Sequence, residues 1–214
     1  MGVASIQLPA GYTAAHDARF KQVCDHVIGI EGRGGDNPAD RGGLTKFGWS
    51  LRSLIDQGKL DAGHPRFADL DLDLNGVIDS RDLAAMTPAD AERDYRDCIW
   101  IPYGLWSLPE PFDGALFDQT VNDGPSAAVK LLQRALNSVY QGAVGVTPLE
   151  VDGDLGPSTK SHLDMAIDHL TEDAVMAAYR GAAETRYRAI VAADPSQRQF
   201  LGGWLARAEG LGDV

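Results

Sequence analysis

Glu31 stands at the end of an amphipathic run, and that position is the first chemical signal in the sequence. Phe20, Val23, Cys24, Val27 and Ile28 recur at spacings of three and four, the period of a helix with one buried stripe. One further step along the stripe lands on Glu31, so the last side chain of the apolar face is a carboxylate. A carboxyl held among apolar side chains keeps its proton toward neutral pH, the state a general acid needs to protonate the leaving oxygen of a glycosidic bond. Gly32, Gly34 and Gly35 follow at once, and glycines let a backbone turn sharply and approach a sugar ring closely. On this pattern alone Glu31 also reads as a helix-end carboxylate open to water. A second group of oxygen donors, Asp69, Asp71, Asp73, Asp79 and Asp82, falls in one short segment. Carboxylates so closely packed repel one another unless a cation lies among them, and alternating oxygens suit a hard divalent ion; a solvated acidic turn is the other reading.

The elements that must carry these groups are mainly helical. Residues 1–14 lack a helical period and read as an N-terminal arm. After the first helix, residues 32–50 hold six glycines and a proline, which argues for an ordered loop or a short hairpin, and a short helix is expected over 49–57. Thr87-Pro88 reads as N-cap and first helical position, with Asp90 in the first turn and Ala91, Tyr95, Cys98 and Ile99 as the inward stripe. Gly124-Pro125 opens a helix burying Val129, Leu132, Leu136 and Val139; Gly156-Pro157 opens another with Leu163, Ala166 and Leu170 inward. Thr171 caps a long helix expected to turn Val175, Tyr179, Ala182, Arg186 and Ile190 inward, and Phe200, Trp204 and Leu205 close the chain. Apart from the glycine-rich segment no alternating strand pattern appears, so the class is mainly α.

With 214 residues the chain is long enough for one sizeable core, or for a catalytic part with a small appendage. Acidic residues outnumber basic ones 31 to 19, and no stretch concentrates Lys and Arg into a phosphate-binding stripe. Nucleic acid and anionic membrane surfaces are thereby disfavoured as partners. No run of about 18 apolar residues is present to insert into a bilayer, and the N-terminus lacks a basic start followed by an apolar stretch. The expectation is a protein made in the bacterial cytoplasm without a signal peptide and, if its substrate is external, released by other means. Cys24 and Cys98 each lie in an apolar helical pattern, which favours buried free thiols over a disulfide.

Glu31-Gly32, Asn37-Pro38-Ala39-Asp40-Arg41-Gly42-Gly43 and Thr45-Lys46-Phe47-Gly48 together resemble the signature of glycoside hydrolase family 108. The resemblance implies a lysozyme-like, mostly helical fold with a small glycine-rich loop or hairpin at the active site. It implies an endolysin-type muramidase that hydrolyses the β-1,4 bond between N-acetylmuramic acid and N-acetylglucosamine, with Glu31 as the acid. Arg33 and Trp49 depart from the family pattern and put substrate contacts in doubt more than chemistry. The same stretch is similar to the Glu, Asp, Thr triad of phage-type lysozymes. That similarity casts Asp40 as the carboxylate assisting water or stabilising the oxocarbenium-like transition state, and Thr45 as the group orienting the water. Asp40 also reads as a turn residue bonding its own backbone beside Gly42 and Gly43.

The similarity continues through Leu116-Phe117-Asp118, Val121-Asn122, Gly124-Pro125, residues 130–136, Val151-Asp152-Gly153, Gly156-Pro157 and Gly203-Trp204-Leu205. That portion is described in the family as peptidoglycan-binding; its motifs serve equally as caps, turns and core contacts that complete one fold. The organisation read from the sequence is therefore an arm at 1–14, a catalytic part at 15–110 with an insertion at 69–82, and a helical C-terminal part at 111–214. The insertion's segment DLDLNGVIDSRD resembles an EF-hand calcium loop. The resemblance implies structural Ca²⁺ held by Asp71, Asp73, Asn75, the Val77 carbonyl, Asp79 and Asp82, with Gly76 at the sharp turn and Ile78 toward the core. Asp82 stands where the motif usually has Glu. The partner implied is the glycan strand of periplasmic peptidoglycan, met by a monomer after holin-type release. The rival activities are a lytic transglycosylase, which uses one Glu and no water, and a non-catalytic calcium-dependent wall-binding module.

Overall fold

The computed structural model describes residues 6–31, 44–60 and 70–214, the side chains of residues 30, 31 and 60 excepted. Asp40 and Asp69 lie outside the described residues. The chain divides into two compact units, Met1–Trp106 and Ser107–Val214. Both are mainly helical, as a lysozyme-like fold requires.

In the first unit α1 spans Ala14–Glu31. Its stripe is buried as the periodicity demands, with Phe20, Val23, Cys24 and Val27 at 2% exposure or less, and Phe20 meets the Trp100 ring at 5.6 Å. Residues just before α1 are fastened rather than loose. The Tyr12 hydroxyl donates to Asp17 at 2.9 Å, its ring meets Trp106 edge-on at 5.5 Å, and the Arg96 guanidinium, which donates to Asp17, lies 5.6 Å from the ring centre. Burial and the Asp17 carboxylate push the Tyr12 phenol up to about 12. A hairpin follows, β1 (Thr45–Lys46) antiparallel to β2 (Trp49–Ser50), and leads into α2 (Leu51–Leu60). The return strand thus takes the first two residues of the helix expected at 49–57, and the Ser50 hydroxyl accepts from the Ser53 amide at 3.0 Å to start the helix after it.

Two short helices follow among the described residues, α3 (Ser80–Ala85) and α4 (Pro88–Tyr95). The Thr87 hydroxyl accepts from the Asp90 amide and the Asp90 carboxylate accepts from the Thr87 amide, a reciprocal capping box at the position the Thr-Pro signal marks. Beyond Tyr95 the ladder widens into a π-helical turn, Arg96–Trp100, seen in the bond from the Ile101 amide to the Arg96 carbonyl at 3.0 Å. The wider turn buries Cys98, Ile99, Trp100 and Ile101 in succession, which a regular 3.6-residue stripe does not do. Cys24 and Cys98 are both buried free thiols, and burial pushes the Cys24 thiol up to about 12.

The second unit contains α5 (Phe112–Asp123), α6 (Pro125–Val139), α7 (Pro157–His169), α8 (Glu172–Ala193) and α9 (Leu201–Glu209). α8 packs most extensively on α6 and next on α9. Its inward line is Val175, Tyr179, Ala183, Tyr187 and Val191, not Ala182, Arg186 and Ile190, which sit half-buried at its edge. Tyr187 sets this rotation, because its hydroxyl must reach the side-chain amides of Gln119 at 2.9 Å and Asn122 at 2.8 Å in the interior. Leu170, expected inward, is exposed, because α7 ends at His169 and the chain leaves the core there. Arg207 donates from Nε to the buried Asp118 carboxylate at 2.5 Å, so the one charge does not stand in the core without the other.

Candidate functional site

Thr45 is set in place by a very short piece of sheet. In the hairpin Thr45 faces Ser50 and Lys46 faces Trp49. The turn between them is Phe47-Gly48, with φ of 51° and 82°; positive φ at both central residues gives the turn the twist that closes a two-residue hairpin. Trp49 is 3% exposed and stacks on Tyr95 with ring centres 4.8 Å apart and planes 20° apart. The Tyr95 hydroxyl reaches past the stack to donate to the Phe47 carbonyl at 3.1 Å, holding the turn itself. Successive side chains of a strand alternate, so Lys46 and Trp49 belong to the packed face while Thr45 and Ser50 belong to the opposite one. Thr45 is half-buried there.

Glu31 is the last described residue of α1. Residues 32–43, with Asp40 among them, are outside the described residues, so the structure brings together no more than the supports of the expected Glu31, Asp40, Thr45 set. Trp49, read as a departure bearing on substrate contacts, is instead a core residue, and Trp100 is likewise buried at 1%. Tyr95 had been legible only as part of an apolar stripe. Its role at the turn depends on a contact 48 residues away along the chain, which no local pattern carries.

The acidic loop has a definite internal order. Asp71 accepts from the amides of Asn75 at 3.1 Å and Gly76 at 2.7 Å. Gly76 has φ of 86°, where a side chain is strained, so the turn needs glycine at this point. Asp82 accepts from the amides of Asp73 at 3.2 Å and Asp79 at 2.7 Å, the Asn75 side chain contacts Asp73, and the Asn75 side-chain oxygen Oδ1 accepts from the Val77 amide at 2.9 Å. Asp71, Asp73 and Asp82 each present an oxygen within 4.8 Å of the others, and Asp71 and Asp82 are buried. Asp79 points elsewhere: it caps α3 through the Arg81 amide at 2.7 Å and pairs with the Arg81 guanidinium at 2.8 Å, which holds its carboxyl below the usual range. The Ile78 side chain is buried, as the motif implies, and that of Val77 is exposed. This loop connects to the hairpin, because Lys46 Nζ donates to the Ala84 carbonyl of α3 at 2.6 Å.

Comparison with known proteins matches residues 24–124 to the family described as Glycosyl hydrolase 108 and residues 127–209 to the one described as Predicted Peptidoglycan domain. Among solved structures, that of Brucella abortus SagA is similar, with 24% identity and a TM-score of 0.63 over 92% of this chain and 93% of that one; it shares the fold. No curated protein matches the chain. Residues 24–124, just under half of the chain, are thus similar to a family of glycosyl hydrolases, and residues 127–209 to one described as a peptidoglycan domain.

Replacing Tyr95 by Phe keeps the ring on Trp49 and removes the bond to the Phe47 carbonyl. The expected loss is about 1 kcal/mol of stability, read from chemical denaturation. Unchanged stability means that the hydroxyl does not hold the turn.

Proposed function

We propose that this chain is an N-acetylmuramidase that hydrolyses the β-1,4 bond between N-acetylmuramic acid and N-acetylglucosamine, with Glu31 as general acid. The observation that carries the reading is that the glycosyl hydrolase match over residues 24–124 contains Glu31, Asp40 and Thr45, and that Glu31 lies on α1.

In this mechanism Glu31 passes its proton to the glycosidic oxygen as the bond to the muramic anomeric carbon breaks. Asp40 stabilises the oxocarbenium-like transition state or takes the proton of the incoming water, and the Thr45 hydroxyl orients that water. The water oxygen ends on the anomeric carbon and its proton restores the acid, so the enzyme is unchanged after each turnover. The wider reading is an endolysin that acts as a monomer on periplasmic peptidoglycan after holin-type release from the host cytoplasm. It is compatible with the finding that, among the described residues, no helix is long and apolar enough to cross a membrane.

The same reading gives the acidic loop to a structural Ca²⁺, with Asp71, Asp73, Asn75, the Val77 carbonyl, Asp79 and Asp82 as its ligands. Three converging carboxylates, two of them buried, are a hard donor set with an excess of negative charge, which fits a divalent cation. The ninth position of such loops often reaches the ion through a water, which accommodates an Asp79 already turned to Arg81. The ion supplies counter-charge to the loop; the hydrolytic step needs no metal.

Glu31→Gln keeps the shape of the side chain and cannot donate the proton. The expected result is a folded protein with loss of nearly all clearing of outer-membrane-stripped cells, on the order of 10³-fold or more. Clearing comparable to the parent protein refutes the assignment. Calcium is expected to raise the melting temperature, by mass action on the native state, and Asp71→Ala with Asp73→Ala to abolish that rise. Melting curves that coincide with and without chelator remove calcium from the account.

A further inference from the structure

At the start of α6 the second unit has a cavity of about 390 Å³, with Asp123, Gly124, Ser126, Lys130, Arg134 and Arg186 on its walls. The chain carries 31 acidic and 19 basic residues, so three cationic side chains around one cavity run against its general charge. The one carboxylate there is already committed: Asp123 takes Arg186 Nε at 2.7 Å and the Gln119 amide at 2.8 Å. Lys130 and Arg134 are one helical turn apart on the same face, where like charges repel. Arg134 has no ion pair among the described residues, while Lys130 acts at a distance on Asp152. Gly124 offers α6 no side-chain cap, so the positive end of that 15-residue helix adds to the same field. Pro125 and Ala127 give the cavity a small apolar wall beside the charges.

The geometry points to a subsite for a carboxylate of the peptide stems that peptidoglycan carries on its muramic acid residues, an inference that rests on the wall-hydrolase reading above. A guanidinium fork beside an ammonium matches a carboxylate in shape as well as charge. The apolar wall suits the methyl groups of alanine-type residues better than it suits a hydrated phosphate polymer. Ala127, Lys130, Arg134 and Arg186 all fall within the match to the peptidoglycan domain. The subsite therefore reads the peptide, not the sugar, and adds affinity for wall that still bears its stems.

The test uses the full chain as Glu31→Gln, so that nothing is turned over, titrated calorimetrically with a synthetic stem tetrapeptide and with the same peptide fully amidated. The acid is expected to bind at least about tenfold more tightly than the amide, and the preference to shrink with added salt. Arg134 is exposed, so Arg134→Ala is expected to keep the melting temperature and lose about tenfold in affinity, with Arg134→Lys in between. Equal binding of acid and amide, absence of binding, unaltered affinity in Arg134→Ala, or equal competition by glycerol phosphate each overturns the subsite. Cleavage of peptide-free glycan strands by the parent enzyme, measured alongside, reports on the muramidase reading separately: cleavage without peptide binding defeats only the subsite, and peptide binding without cleavage defeats only the muramidase.

Discussion

The first unit depends on one ring. Tyr95 is 2% exposed at the end of α4, stacked on Trp49 and hydrogen-bonded to the turn at Phe47. A hairpin with two residues in each strand does not hold itself together in water, because so few ladder bonds and cross-strand contacts do not offset the ordering of its backbone. What gives this one a fixed position is the grip of a helix end on its packed face. The capping box at Thr87 and Asp90 sets where α4 begins, eight residues bring it to Tyr95, and the π turn that follows commits Cys98, Ile99, Trp100 and Ile101 to the interior. Thr45 inherits its place from that chain of supports, on the face of the hairpin away from the stack.

A second support comes from the acidic loop, and there the same groups serve two purposes. Asp79 and Asp82 form the capping box of α3, while Asp82 also belongs to the converging carboxylates. Lys46 then ties the last turn of α3 to β1. In the proposed calcium form, neutralising the loop steadies α3 and, through Lys46, the strand that carries Thr45. Without that charge the cluster is held by backbone amides, by the Asn75 side chain and by Arg81, which already lies near both Asp73 and Asp79.

Features that rest on local chemistry were legible in the sequence. The α1 stripe, the Thr87-Pro88 start, the helices opened by Gly124-Pro125 and Gly156-Pro157, the cap at Thr171 and a hairpin near the glycine-rich segment all follow from spacing and cap preference, and the structure has each of them. Features that depend on distant partners were not. The α8 face is turned by one residue because Tyr187 must satisfy its hydroxyl against α5, and the apolar Ile190 and Val191 are neighbours that periodicity alone does not separate. The π turn after Tyr95 has no sequence signal here beyond a run of apolar residues. Trp49 had a similarly ambiguous reading, since an aromatic in a glycine-rich segment fits a sugar cleft as well as a core; its stacking partner decides for the core. The commitment of Asp79 to Arg81 was invisible to a reading that counted oxygen donors without asking what else they cap.

The central claim is that Glu31 acts with a water held by Asp40 and Thr45, and the product records whether it does. If water attacks the anomeric carbon, the released fragments end in ordinary reducing N-acetylmuramic acid. If the muramyl 6-hydroxyl attacks in its place, no water is consumed and the ends are 1,6-anhydro sugars, lighter by one water. Mass spectrometry of muropeptides released from a defined peptidoglycan separates the two directly. The account predicts reducing ends; predominantly anhydro ends contradict both the roles given to Asp40 and Thr45 and the hydrolytic reaction itself.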